Sequence, residues 1–316
     1  MLTCFEHRMS SNDLDFAPPS CPPPLLTAEQ VRHLAHQGWL SIELPDHLAD
    51  AVGKLSLSAE GFFDNDYGVK RELYPPSRGT ECGFYQVPHE KEYITLRHGI
   101  HHFSELEEPA RRVWHAAGAL LHRILCDLSR AGGYDMHSWD HLLENSLDMA
   151  KDDSDMDNVT TLLRLFRYYP TAGVAEEHVD IGLLTLCIGN GTGLQVLDCS
   201  KGAPTWLDAA GPVILAGDMA RALMRNQIRA GSHRVVGNPD GRGSIVFALR
   251  PCLKHATDLS AFGGQGIVDT SEYFDKIKDR KFNINATKDV RELQQRALKR
   301  PKQAAGNSQE AAFGHG

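Results

Sequence analysis

Apolar residues recur at three- and four-residue intervals over 105–130: Leu106, Ala110, Val113, Ala117, Leu120, Leu121, Ile124 and Leu128. That period predicts one long helix with a single buried stripe. Gly132-Gly133 closes it. Earlier, Thr27 with Gln30 three residues on predicts a capped helix carrying Val31, Leu34 and Ala35. Gly38 ends that helix, and Trp39-Leu40-Ser41-Ile42 is expected to be a strand. A second helix is predicted over 46–63, carrying Leu48, Val52, Leu55 and Leu57. Between 67 and 99, Pro75, Pro76, Gly79, Gly83 and Pro88 interrupt every period, so an irregular surface loop is expected. A shorter helical segment with Trp139, Leu142, Leu143 and Leu147 follows the long helix.

Past residue 160 the period changes. Short apolar runs separated by turn residues occur at 160–169, 183–188, 194–197, 206–207, 213–216, 220–224 and 245–249. Such spacing predicts a β core. After 251 the chain turns polar and helical. The expected organisation is therefore a flexible lead-in at 1–24 and a helical region at 25–158 packed on a β core at 159–255. A helical cover at 256–303 and a disordered tail at 304–316 complete it. The acidic stretch 151–158 lacks the turn glycine and closing Glu of a calcium loop, and is predicted to be a solvated loop.

Within the β part, Glu176-Glu177-His178-Val179-Asp180 places a His and an acid two residues apart. On an extended strand, residues i and i+2 project to the same side. A second His, in Ser232-His233-Arg234-Val235-Val236, supplies a third donor. Two neutral imidazoles and one carboxylate on one face of an octahedron are the ligand set of non-haem Fe(II) oxygenases. Nine residues beyond His233, Arg242 and Ser244 again share one strand face. A guanidinium fork beside a hydroxyl suits capture of a carboxylate. His137 and His141 lie one helical turn apart, as a zinc pair would, without the intervening Glu or a third ligand.

Gly193-Leu194-Gln195-Val196, Gly217-Asp218, Asn226, and the run from Ser232 through Arg242-Gly243-Ser244 resemble the isopenicillin N synthase-like group of Fe(II)/2-oxoglutarate-dependent oxygenases. The resemblance covers about 162–251, more weakly back through Glu90-Lys91-Glu92-Tyr93. It implies a mixed α and β chain with a double-stranded β-helix (jelly-roll) core and flanking helices from the N-terminal half. It implies Fe(II) at His178, Asp180 and His233, and O2 and 2-oxoglutarate as cosubstrates. The far carboxylate of 2-oxoglutarate would lie on Arg242 and Ser244, helped by Tyr169. Arg167 and Tyr169 stand where the family has Asn-x-Tyr. The resemblance also places 67–99 near the mouth of the site, making Arg78, Tyr85 and Tyr93 candidate substrate contacts. Leu183, Phe247 and Leu249 are candidate cavity liners, with plain core packing as the alternative.

Composition narrows the classes. The 316 residues are 41% hydrophobic and 23% charged with net charge −8, ordinary for a globular enzyme. No basic stripe interleaved with aromatics is present, which argues against nucleic acid and anionic membrane as partners. Seven cysteines without regular spacing are expected to be reduced, in a cytoplasmic protein. Residues 1–15 lack the apolar segment of a signal peptide. The expected activity is oxidation of a C–H bond in a small molecule of specialised metabolism, by a monomer or weak homodimer. A 2-oxoglutarate-independent oxidase, with Arg242 and Ser244 holding the substrate's own carboxylate, is the alternative. A non-catalytic binding protein with a vestigial triad is a third reading, disfavoured because all five polar residues are intact.

Overall fold

A computed structural model describes residues 23–77, 81–97, 105–150, 156–170, 174–200 and 202–299. Most of the lead-in, Arg78 and the whole 304–316 tail lie outside the described residues. The N-terminal part runs α1 (Ala28–Gln37), β1 (Trp39–Ser41), α2 (Asp46–Phe63), α3 (Tyr67–Leu73), β2 (Gly83–Val87), β3 (Lys91–Leu96) and α4 (Glu107–Gly132). Then come β4 (Leu162–Tyr168), β5 (Ala175–His178), β6 (Leu184–Gly189), β7 (Leu194–Asp198), β8 (Thr205–Asp208) and β9 (Val213–Ala216). A short α5 (Asp218–Leu223) leads to β10 (His233–Val235) and β11 (Arg242–Leu249). The chain closes with β12 (Ala256–Asp258), β13 (Ile267–Asp269), α6 (Thr270–Lys278) and α7 (Lys288–Lys299).

Two antiparallel sheets carry the architecture. The larger has the order β1-β9-β6-β11-β4-β3-β2, the smaller β5-β10-β7-β8. Strand alternation gives the large sheet two different faces. One face presents Phe166, Tyr168, Cys187, Val213 and Leu215 to Ala175, Val196 and Val235 of the small sheet, closing a sandwich. The other presents Leu163, Leu165, Leu186, Phe247 and Leu249 to the helices, in one core with α2 and α4. Trp114 of α4 meets the Phe247 ring edge-on at 5.3 Å.

Helix starts and stops follow local chemistry. Thr27 and Gln30 form the reciprocal capping box of α1, and Gly38, at φ 77°, ends it. α2 spans the expected residues, with Leu48, Val52 and Leu55 buried, whereas Leu57 faces solvent.

Two stretches differ from expectation. The 67–99 stretch is α3 plus the β2–β3 hairpin, not a loop. Its strand pattern is hidden by charge: Lys91 and Glu92 sit in β3 yet are buried, because each meets a partner. Glu92 accepts from Lys70 at 2.8 Å and from Arg167 at 2.6 Å. The region expected to be helical thus supplies three of the seven strands of the large sheet. Residues 220–224, expected as a strand, are the end of α5 and its C-cap Met224, and Arg221 donates to Asp218 one turn earlier. Among the described residues no helix is long and apolar enough to cross a membrane.

Candidate metal centre

The centre is made by register. β5 and β10 pair antiparallel with His178 directly opposite His233, so the two imidazoles leave neighbouring backbones on the same side. Their ring centroids are 4.1 Å apart. Asp180 lies two residues beyond His178, past the end of β5 rather than on it. Its loop is held by α5, whose Asp218 N–H donates to the Asp180 carbonyl at 2.8 Å. The approach is close: a Cβ on Gly217 would stand 2.1 Å from the Gly182 carbonyl oxygen.

One ligand atom from each of His178, Asp180 and His233 lies within 4.8 Å of the others. His178 Nε2 is 3.9 Å from Asp180 Oδ1. Small side-chain rotations bring donors this close onto one ion. The tautomers suit the task. His178 Nδ1 lies 2.7 Å from the Glu176 carbonyl and His233 Nδ1 lies 3.1 Å from the Gly231 carbonyl. A carbonyl only accepts, so each Nδ1 carries the proton and each Nε2 lone pair faces its neighbours. Burial, and then the His233 ring, lowers the His178 pKa and keeps that imidazole neutral. Burial would raise the Asp180 carboxyl, but its polar surroundings, the two imidazoles, the Thr185 hydroxyl and Arg250, together lower it. The donor set therefore fits a divalent metal.

Arg242 opens β11 opposite Tyr168 of β4. Its side chain is buried, yet its Nε has no hydrogen-bond partner. Gly189 makes the room, since a Cβ there would stand 2.1 Å from Arg242 Nη2. Ser244 shares the face and donates to the Ile188 carbonyl at 3.2 Å. A cavity of about 990 Å3 opens beside this end between α2 and the rim of β4, β6 and β11, lined by Arg242, Ser244 and Tyr168 among others. The three metal donors lie elsewhere, inside the sandwich, and Cys187 marks the link. Burial raises its thiol pKa, Asp180 adds to the rise, and Arg242 opposes it.

Several expected site residues are not brought here. Tyr169 follows β4 and lines the rim of the cavity, but its hydroxyl accepts from Gln86 at 2.7 Å rather than reaching Arg242. Tyr168 is the tyrosine beside Arg242, with the guanidinium 5.8 Å from its ring centroid and its hydroxyl pKa pushed up to about 12 by burial. Arg167 faces the helices, donating to Asp64 at 2.7 Å as well as to Glu92, and lines the α2 side of the same cavity. Phe247 and Leu249 lie on the opposite face from Arg242 and Ser244, in the helix-side core with Leu183. They do not line the sandwich interior. Tyr85 does face inward, stacked on Tyr93 at 5.4 Å, with its hydroxyl donating to the Ser77 carbonyl at 2.9 Å. His137 pairs with Asp140 at 2.9 Å, and the triad is the one metal-competent His, Cys or acid group among the described residues.

Neither protein-family models nor curated proteins match the sequence. Solved structures do. A 2OG-Fe(II) oxygenase family protein from Caulobacter crescentus aligns at TM-score 0.64 and 18% identity, over 80% of this chain and 93% of that one. This chain has the 2OG-Fe(II) oxygenase fold. Full-length Neurospora crassa T7H, crystallised with alpha-KG and 5-formyluracil, aligns at TM-score 0.60 and 18% identity, covering 79% of this chain and 88% of that one. The rice dioxygenase for auxin oxidation aligns at TM-score 0.57 and 17% identity, covering 78% and 87%.

Within this fold, sequence reasoning missed a second group of inward charges. Arg250 Nη1 donates to Glu81 Oε2 at 2.8 Å, and Arg164 Nη2 lies 3.9 Å from Glu81 Oε1. Burial would raise the Glu81 carboxyl, but Arg250, Arg164 and Arg97 bring it down to about 2 from an ordinary 4.5. The signal was available, since Arg164 and Arg250 keep the strand parity of Tyr168 and Arg242. A carboxyl with a depressed folded-state pKa stabilises the fold above its unfolded value and stops doing so as the pH falls through the folded value. Glu81 should therefore contribute fully above about pH 4.5 and progressively less toward about pH 2. Urea midpoints followed across that window should fall less steeply for Glu81→Gln than for the wild type; parallel curves would remove Glu81 from the account.

Proposed function

We propose that the protein is a non-haem Fe(II)- and 2-oxoglutarate-dependent oxygenase that oxidises a C–H bond of a small molecule. On this reading the sandwich is a double-stranded β-helix of the isopenicillin N synthase-like kind, working in the cytoplasm in specialised metabolism as a monomer or weak homodimer. The observation that carries it is the convergence of His178, Asp180 and His233 donors within 4.8 Å at the small sheet, with Arg242 on the large sheet packed against it. The alpha-KG and 5-formyluracil held by Neurospora crassa T7H support the cosubstrate and the small-molecule class.

Bound Fe(II) supplies O2 activation coupled to decarboxylation of 2-oxoglutarate. His178 and His233 provide neutral Nε2 donors, each oriented by a backbone carbonyl, and Asp180 provides the charge that favours Fe(II). Arg242 offers its unpartnered Nε and fork to the far carboxylate of 2-oxoglutarate, and Ser244 offers its hydroxyl. Tyr168 shields that pair from water. Arg291 of α7, fully buried, grips Glu90 at 3.0 Å and Glu176 at 2.9 Å, so the C-terminal segment braces the strand whose Glu176 carbonyl orients His178.

The deciding experiment follows O2 uptake and succinate release by the Fe(II)-loaded protein while small molecules are supplied. One succinate per O2 consumed is the expected result. Oxidation of a small molecule without 2-oxoglutarate would replace this reading by that of an oxidase using Arg242 for the substrate's own carboxylate.

A further inference from the structure

β5 slips in register beside its metal ligand. His178 pairs with His233 and Ala175 with Val235, so three steps along β5 match two along β10. The extra residue makes a bulge, which interrupts the ladder and re-aims the side chains next to it. Glu176 lies in that bulge, and its carbonyl is 2.7 Å from His178 Nδ1. A backbone released from its ladder needs another hold to keep one shape.

The C-terminal segment supplies that hold. Arg291 is the one buried residue of α7, while Val290, Leu293 and Leu298 face solvent. This helix is attached through a guanidinium, not through an apolar stripe. Glu90 takes both Nη nitrogens, at 3.0 and 3.1 Å, in a bidentate pair that already satisfies the fork. Arg291 Nε is left over, and it donates to Glu176 Oε1 at 2.9 Å. Oε2 of Glu176 is buried without a partner, so the carboxylate is gripped by one oxygen. Two lysines add ties on either side. Lys91 Nζ donates to the Val174 carbonyl at 3.1 Å and to the Ile284 carbonyl at 3.0 Å. Lys281 pairs with Asp218 and reaches the Val179 carbonyl, between the two ligands, at 3.4 Å. The segment 281–291 thus meets the ligand strand before, at and after the bulge.

We propose that Arg291 is a positioning residue of the metal centre, and that docking of α7 and metal binding are one linked equilibrium. By holding the Glu176 side chain, Arg291 keeps the bulge in the shape that turns the Glu176 carbonyl to His178 Nδ1 and leaves Nε2 facing its fellow donors. Undocking of α7 frees the bulge, and with it the His178 ring. The inference rests on the oxygenase reading, in which His178, Asp180 and His233 hold the metal.

The test uses the full-length, metal-free protein and Co(II) alone, whose visible absorption reports its ligands. The wild type should bind Co(II) with a spectrum that His233→Ala abolishes. Arg291→Met and Glu176→Ala should each weaken binding roughly tenfold, the low end for outer partners of a metal ligand. Both cut the same contact, so the double variant should bind no more weakly than either single one. Glu176→Gln keeps an acceptor for Arg291 Nε and should restore most of the affinity. Linkage is reciprocal, so Co(II) should slow hydrogen exchange over 288–299 in the wild type and not in Glu176→Ala. A purely structural role would lower melting temperatures and leave affinity and spectrum as they were. Folded variants that bind Co(II) like the wild type overturn the inference. So does a wild-type α7 whose exchange ignores the metal, a reading that needs no variant. Wild type that binds no Co(II), or binds it equally well as His233→Ala, removes the metal centre and this inference together. Co(II) held by the triad with indifferent variants removes this inference alone.

Discussion

Asp180→Ala is expected to abolish turnover and to weaken Fe(II) binding by more than about 100-fold, since even outer partners of a metal ligand are worth roughly 10–100-fold. The carboxylate is the only charged donor of the three, and the two remaining imidazoles are neutral and one strand apart. The fold should survive. The loop's attachment runs through its backbone, by the Asp218 N–H on the Asp180 carbonyl and the Met219 N–H on the Ile181 carbonyl at 3.0 Å, and alanine keeps both. Fe(II) titration beside a thermal melt checks both halves. Wild-type affinity in a folded variant would end the assignment of the centre.

Arg242→Met should raise the KM for 2-oxoglutarate at least about 30-fold, because a buried charge-assisted contact to an anion is worth about 2–5 kcal/mol and 1.4 kcal/mol is a factor of ten. Methionine keeps the unbranched stem as far as the position of Nε and removes the guanidinium that lies beside Gly189. Since Arg242 Nε bonds nothing in the protein, its loss leaves no partner stranded there. Arg242→Lys retains the charge without the fork and should fall between the two. Steady-state kinetics over a range of 2-oxoglutarate concentrations reads the shift. An unchanged KM would transfer Arg242 to the substrate's carboxylate or to structure alone.

How far the site was legible depended on strand parity. His178, His233, Arg242 and Ser244 are readable because strand spacing and ligand chemistry coincide in them, while Asp180, past the end of β5, is readable from its nearness to His178 and its chemistry. The same parity, counted on from Arg242, puts Val246, Ala248 and Arg250 inside and Phe247 and Leu249 outside, where Trp114 packs. Expecting Phe247 and Leu249 in the cavity followed their apolarity instead of their position. Tyr169 and Tyr168 exchange places for the same reason: pairing to Arg242 selects Tyr168. Strand β3 was missed because Lys91 and Glu92 read as surface. Their burial depends on Lys70 and Arg167, and on the Val174 and Ile284 carbonyls that accept from Lys91 at 3.1 and 3.0 Å, from far along the chain.

By itself the amino-acid order determined the helices α1, α2 and α4, the β-rich second half, and which side chains have metal- and carboxylate-binding chemistry. Those properties are local: caps, periods and spacings act over a few residues, and the chain states them directly. Only the tertiary structure decided that His178 faces His233, that Arg164 and Arg250 share Glu81, and that Arg167 is spent on Asp64 and Glu92. Each depends on which strands become neighbours and in what register. Distant segments settle that jointly when they bury their apolar faces, and no short window of sequence contains it.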